Sequence, residues 1–133
     1  MESFENFVKR GDVKKTSINT QLATALLKEA EQRIEFYLEL PITEKSAKYI
    51  FENCYEALRE MADAQLSLEG YKSYSHEASI AFLQNKKFTE FEISKLNDMR
   101  WLRNGTKYYG KSMEISKAIE FINFTKQIKE KFK

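Results

Sequence analysis

The sequence predicts an all-α fold, an up-down helical bundle of four to five main helices. Apolar residues recur every three and four positions over several long segments, which is the helical period. Only four glycines and one proline occur in 133 residues, fewer than the turns of a strand-rich fold require. Alternation with period two appears only in fragments. Because this length supports a single core, we expect one domain spanning residues 1–133.

The first third of the chain predicts a short element followed by a long one. Residues 1–13 are expected to form a short N-terminal helix or arm. Thr16 or Ser17 can cap a long helix that runs to about Leu40. Pro41 then ends it, because proline removes a backbone donor and clashes with the preceding turn.

The middle of the chain predicts a second long helix over about 44–68, antiparallel to the first because the connection is short. Residues 70–75 are polar and glycine-led, which indicates a turn. Ser73 or Ser75 can cap a short helix over 76–85.

The last third begins with the clearest helix signal in the chain. Thr89 and Glu92 have the spacing of a capping box, and the helix continues to about Arg103. The glycines beyond it leave open whether 104–109 is helix or loop. A final helix is expected over about 112–132, with one inward side formed by Ile115, Ala118, Ile119, Ile122, Thr125 and Ile128.

Composition excludes several classes of site. The single cysteine, Cys54, allows no internal disulfide and no multi-cysteine zinc site, and the apolar stripe around it indicates a buried structural thiol. The single histidine, His76, excludes the HExxH motif. The N-terminus does not resemble a signal peptide, and no apolar run approaches about 20 residues. We therefore expect a cytoplasmic protein with no metal, no cofactor and no membrane partner.

Charge is unevenly distributed along the chain. Residues 100–133 carry nine Lys/Arg and three Glu, whereas residues 1–99 carry 13 Lys/Arg and 17 Asp/Glu. This asymmetry suggests an anionic partner. For 126–133 the simpler explanation is a solvated helix end, where the helix dipole favours cations.

The stretch 98–110 concentrates cations and aromatic rings. Within it, Arg103 shares a helical stripe with Met99 and so faces the core. An unpaired buried charge is costly, so this guanidinium requires an anion. Two alternatives stay open: it binds a phosphate, or it pairs with an internal carboxylate such as Glu56 or Asp98.

Several other residues, most of them close to Arg103, each allow more than one interpretation. Asn104 can form a turn or bind a ligand, and Lys107 adds charge. Tyr108 and Tyr109 can stack on a base or anchor a core or interface. His76 can act as a catalytic imidazole, although a structural role is the more common one. The concentration of Arg103, Asn104, Lys107, Tyr108 and Tyr109 within seven residues favours a site at 103–109.

Three segments resemble the HEPN superfamily, the higher eukaryote and prokaryote nucleotide-binding domains. They are RNGTKYYG at 103–110, GYKSYSHEASIAFL at 70–83 and SAKYIFENCYEALREM at 46–61. The resemblance extends from about Thr20 onward. It implies a helical bundle that forms a two-fold dimer. Many members of this superfamily are metal-independent ribonucleases, toxins of toxin–antitoxin pairs or partners of nucleotidyltransferases.

The superfamily signature is an Arg, then four to six residues, then a His. Arg103 matches the Arg and Asn104 the polar residue that often follows, but the His positions hold Tyr108, Tyr109 and Gly110. A phenol with a pKa of about 10 exchanges protons poorly near neutrality. The resemblance therefore implies binding of RNA or a nucleotide, with weak or no ribonuclease activity.

Three functional hypotheses follow. In the first, a homodimer binds RNA or a nucleotide through the 103–109 residues named above. In the second, the chain is an active, toxin-like, metal-independent endoribonuclease in which Arg103, Tyr108 and His76 are catalytic. In the third, it is a non-catalytic partner of a nucleotidyltransferase or an antitoxin protein. The dimer also draws on the last helix, whose apolar face looks wider than one bundle needs.

Overall fold

A computed structural model describes the backbone of residues 1–133 and every side chain except that of residue 85. It confirms the predicted all-α bundle. The helices are α1 (Phe4–Arg10), α2 (Thr20–Leu38), α3 (Ala47–Leu68), α4 (His76–Phe82), α5 (Glu90–Tyr108) and α6 (Ile115–Ile128). Short 3₁₀ turns, Leu83–Asn85 and Lys129–Phe132, follow α4 and α6. A two-stranded sheet joins β1 (Val13–Lys15) to β2 (Tyr71–Ser73). None of the described helices has a stretch apolar enough to cross a membrane.

Helix α3 is the central element, because α2, α4, α5 and α6 all pack on it. The backbone N–H of Asn19, before α2, donates to Ser67 O near the end of α3 at 3.0 Å. At the opposite end, Tyr37 and Leu38 of α2 pack against the cluster that contains Ala47 and Ile50 of α3. The predicted antiparallel return of α3 along α2 is therefore confirmed.

Helix α6 covers another side of α3. The rings of Phe51 and Phe121 lie 5.6 Å apart, and Gln65 Nε2 donates to Phe132 O at 2.7 Å. Phe121, Phe124 and Phe132 are all buried within the subunit, so the wide apolar face of α6 is used internally. The expected core residue Ile119 is instead 39% exposed. The width of this face therefore gives no support to a dimer.

The two-stranded sheet of β1 and β2, which we call the β-ribbon, differs from the prediction. Helix α1 ends at Gly11, whose φ of 84° is left-handed, and the chain then extends into β1. This strand pairs antiparallel with β2, in the segment 70–75 that was expected to be a turn. Strands of three residues are too short to produce a readable alternation, so the pattern could not predict them.

Helix starts differ from expectation by a few residues. Helix α2 is capped by Asn19, whose Oδ1 accepts from Leu22 N at 2.9 Å, because Thr16 is held in the ribbon by a hydrogen bond from its N–H to Gly70 O at 2.8 Å. Helix α3 begins at Ala47 and not near residue 44. The predicted cap of α4 at Ser75 is confirmed.

Helix α5 carries the predicted site. The capping box of Thr89 and Glu92 is present in full. The helix then continues through Gly105 to Tyr108, which resolves the open alternative for 104–109 in favour of helix. Arg103 consequently faces inward, while Tyr108 lies at the last turn.

Candidate functional site

Polar side chains from α3, α4 and α5 meet in one half-buried region that we call the polar cluster. It combines charged, phenolic and imidazole groups on a bundle that is otherwise apolar. Its members are Tyr55, Glu56, Arg59, Asp63, His76, Ser79, Arg100, Arg103 and Tyr108.

Arg103 is the most buried charge of the cluster, at 5% exposure. Its Nη2 lies 3.6 Å from Glu56 Oε2, and its Nη1 donates to Tyr108 Oη at 3.3 Å. Its guanidinium carbon also lies 5.7 Å from the Tyr55 ring centroid and 5.3 Å from that of Tyr108. The sequence left two alternatives for Arg103, a bound phosphate or an internal carboxylate. In the structure Arg103 pairs with an internal carboxylate, which is that of Glu56 and not that of Asp98.

Glu56 is shared between two arginines. It forms a short ion pair with Arg59 and the longer contact with Arg103. Burial opposes ionisation of this carboxyl, but the hydrogen bond from Arg59 and the positive charges of Arg59, Arg103 and Arg33 outweigh it and lower its pKa. One carboxylate therefore faces two guanidiniums, that of Arg103 and that of Arg59, which also pairs with Asp63.

Asp63 extends the cluster towards α4. Its Oδ2 accepts from Arg59 Nη1 at 2.9 Å, and its Oδ1 accepts from Ser79 Oγ at 3.2 Å. Burial raises its pKa to about 6 despite the neighbouring guanidinium.

His76 lies beside Tyr55, whose Oη is 3.5 Å from His76 Nδ1. Burial, together with the positive charges of Arg59 and Arg103, lowers the pKa of His76 to about 4. Burial raises the pKa of Tyr55 to about 12. The structure thus brings His76 and Arg103 to the same tyrosine, but neither His76 nor Tyr55 titrates near neutral pH.

The exposed end of α5, which we call the α5 tip, comprises Trp101, Asn104, Lys107, Tyr108 and Tyr109. The three aromatic residues are 64%, 62% and 76% exposed in chain order. The ammonium of Lys107 lies 5.9 Å from the Tyr108 ring centroid. Tyr108 therefore joins the buried cluster to this surface, whereas the structure gives Asn104 and Tyr109 no side-chain hydrogen bond with a described residue.

Two grooves of about 450 and 370 Å³ lie away from Arg103. The first is beside the start of α5, at Glu77 and Glu90, and the second is beside β2, at Lys72. Near His76 and Arg59 there is a space of only about 10 Å³, roughly one water molecule. Ligand binding at the α5 tip would therefore occur on a surface and not in a pocket of one subunit.

Sequence reasoning missed Tyr55, Arg59 and Asp63 as members of the site. A signal was present, because Glu56, Arg59 and Asp63 recur at three- and four-residue spacing and so share one side of α3. No protein-family model matches this chain, and no curated protein matches its sequence.

Proposed function

We propose that this chain is a HEPN-like homodimeric protein that binds RNA or a nucleotide at the α5 tip, with weak or no ribonuclease activity. One observation carries the proposal. The exposed Tyr108 ring lies 5.3 Å from the guanidinium carbon of Arg103 and 5.9 Å from the ammonium of Lys107. An accessible aromatic ring beside cations suits a base and its phosphate, because every base has a face that stacks.

Under this proposal Arg103 acts mainly from beneath the surface. Its side chain is paired with Glu56, so it supports Tyr108 through the 3.3 Å hydrogen bond and contributes positive potential. Lys107 and Asn104 then supply direct contacts to phosphate. In this proposal Arg103 therefore does not itself form a bidentate contact with the phosphate.

Weak or absent cleavage is proposed because neither His76 nor Tyr55 is matched to act as a general base, and the carboxylate of Asp63, whose pKa is about 6, is engaged by Arg59 and Ser79. A general base works best when its pKa is near the working pH. The pKa of His76 is lowered to about 4, first by burial, and that of Tyr55 is raised to about 12 by burial. Both values are far from neutrality.

The binding test compares two exposed aromatic rings that each lie beside a lysine. Phe91 is 68% exposed, and its ring centroid lies 5.6 Å from the Lys95 ammonium, at the opposite end of α5 from Tyr108. We expect Tyr108→Ala to weaken binding of a labelled single-stranded RNA roughly 5- to 100-fold, the usual loss for one stacked base. Phe91→Ala should bind like the wild type. Equal binding by both variants, or no salt-dependent binding by the wild type, would overturn the proposal.

The ribonuclease hypothesis requires cleavage without metal that depends on His76 or Tyr108. The test incubates single-stranded and structured RNA with the wild type, His76→Ala and Tyr108→Ala between pH 5 and pH 9. We expect at most weak cleavage by the wild type that neither substitution changes, whereas metal-independent cleavage that either substitution abolishes supports the ribonuclease hypothesis.

Mass measurement in solution tests the dimer. A monomer at all concentrations is the contrary result.

A protein partner is the second candidate function, and Trp101 favours it. This side chain is 64% exposed on α5, with the Arg100 guanidinium 5.1 Å from its ring. Tryptophan and arginine dominate binding energy at protein interfaces. If Trp101→Ala prevents copurification of a nucleotidyltransferase or antitoxin from the native host while RNA binding is absent, this candidate replaces the first.

A further inference from the structure

The outer face of the β-ribbon carries a second set of cations beside an exposed ring. Lys14 and Lys72 are direct cross-strand partners in the antiparallel register. Val13 is buried, so the alternation of the strand directs Lys14 outward. Tyr74 follows on the same face as Lys72 and is 61% exposed. We call Lys14, Lys72 and Tyr74 the ribbon patch.

The two ammonium groups converge on one ring and lack counter-charges. Their nitrogens lie 5.7 and 5.5 Å from the Tyr74 ring centroid. Neither Lys14 nor Lys72 forms an ion pair with any carboxylate whose side chain is described. Asp12, which precedes β1, is held by Arg10 at 3.2 Å. Like charges directly opposite each other destabilise a strand pair, so this arrangement weakens the ribbon and needs an anion to balance it.

A groove of about 370 Å³ runs from Lys72 between the ribbon and α2. Hydroxyl and amide groups of Thr16, Ser17, Asn19 and Ser73 line it, together with apolar side chains of α2. Its size is within the range of small-molecule sites. Asp63 also lines this groove, and its carboxylate is engaged by Arg59 at 2.9 Å.

We infer that the ribbon patch and its groove bind one nucleotide unit of single-stranded RNA, a contact distinct from the α5 tip. Lys14 and Lys72 neutralise adjacent phosphates, Tyr74 stacks on a base, and the groove receives the sugar. This inference rests on the proposed function, since it assumes that RNA is the ligand. An anionic membrane fits less well, because a nucleotide unit would use the hydroxyl and amide groups that line the groove, whereas a bilayer would use only its apolar side chains, such as Leu22 and Leu26. An acidic protein would pair with the two lysines but would not need the exposed Tyr74 ring.

The test measures anisotropy of a labelled 15-nucleotide oligouridylate over a range of salt concentrations. We expect Lys14→Gln/Lys72→Gln to reduce the slope of log affinity against log salt by about 1.4, or roughly 0.7 per ammonium on a single strand. Tyr74→Ala should weaken binding about 5- to 100-fold. Lys28→Gln/Lys45→Gln removes the same charge from two exposed lysines elsewhere and should leave the slope near that of the wild type.

Each outcome decides the inference. If the ribbon variant matches the Lys28/Lys45 control while Tyr108→Ala still weakens binding, the ribbon inference is wrong and the proposed function stands. If the wild type binds no RNA, both the ribbon inference and the proposed function are wrong. If polyglutamate or phosphatidylserine vesicles bind as well as the oligonucleotide and Tyr74→Ala has no effect, the patch serves another anion and the inference is overturned. Thermal denaturation monitors folding, and Lys72→Gln should melt no lower than the wild type because it removes a like-charge pair.

Discussion

The two sides of helix α3 are packed by different chemistry. Towards α6 the side chains are apolar and fully buried, with Ile50, Cys54 and Ala118 at 1% exposure or less. Towards α5 the same helix presents carboxylates: Glu52 accepts from Thr106 Oγ1 at 2.7 Å, and Glu56 pairs with Arg103.

The two sides of α3 also differ in how burial affects their ionisable groups. Burial raises the pKa of the Cys54 thiol to about 11, which leaves it an unreactive core group. On the other side, burial and neighbouring charges move the pKa of Asp63 to about 6 and that of His76 to about 4. Buried ion pairs are often no better for stability than apolar replacements. We infer that the apolar contacts towards α6 contribute more to stability than the ion pairs between α3 and α5.

The largest expected effect is on the apolar side. Phe121→Ala removes a ring that is 1% exposed and packed against Phe51, so we expect a loss of about 3–5 kcal/mol in the free energy of unfolding. Phe91→Ala, at a position 68% exposed, is the matched control and should cost little. Urea denaturation measures both. Similar losses for the two variants would remove the distinction drawn for α6.

A smaller loss is expected on the charged side. Glu56→Ala leaves buried Arg103 and half-buried Arg59 without their shared carboxylate, and we expect a cost of about 2 kcal/mol because both cations are then only partly paired. Asp98→Ala removes an exposed acid on α5 and should be nearly neutral. Denaturant midpoints compare them. A fully stable Glu56→Ala protein would show that the pair is dispensable for folding.

The pH dependence tests the same side without removing its packing. The folded pKa of Asp63, about 6, exceeds its ordinary value of 3.8, so its contribution to stability is present below pH 3.8 and is lost as pH rises through 6. The folded pKa of His76, about 4, is below 6.5, so its contribution is present above pH 6.5 and is lost as pH falls through 4. The two dependences oppose each other between pH 4 and pH 6.

Single substitutions should reveal each of these two pH dependences of stability separately. Relative to the wild type, Asp63→Asn should gain stability as pH rises from 4 to 6, because only the histidine dependence remains. His76→Gln should lose stability over the same range. Urea midpoints at half-unit intervals of pH measure both. Parallel curves for all three proteins would contradict the assigned shifts.

The smallest effect is expected at the end of α5. Gly105 lies inside the helix, and a Cβ there would meet only the flexible Lys111 side chain at 3.4 Å. Gly105→Ala should therefore stabilise the fold by about 0.5–1 kcal/mol. Gly110→Ala should destabilise it, since the φ of Gly110 is 65°. Thermal melting distinguishes the two. A destabilised Gly105→Ala protein would mean that α5 ends before Tyr108.

The helices could be predicted because each encodes its own period and start. The spacing of Thr89 and Glu92 located α5, and Pro41 located the end of α2. The ribbon could not be predicted, because three-residue strands have no measurable alternation. Ile119 was misplaced because a helical pattern indicates a face but not how far a neighbour covers it.

The site was harder to predict because its contacts join distant parts of the chain. Arg103 was expected to need an anion, and Glu56 was one of the partners offered. The pairing of Arg59 with Asp63, and of Tyr55 with His76, depends on how α3 and α4 pack. Local spacing reports which side of a helix a residue occupies, but it does not report the charge opposite.

The ribbon also constrains the order of folding. By pairing β1 with β2 it closes a loop of roughly 60 residues, and the entropic cost of that closure must be met before any strand contact forms. Once α2 and α3 have paired, the ends of this loop are already close together. Docking of the N-terminal arm, with Phe4 and Phe7, should therefore be a late step that follows assembly of the central helices.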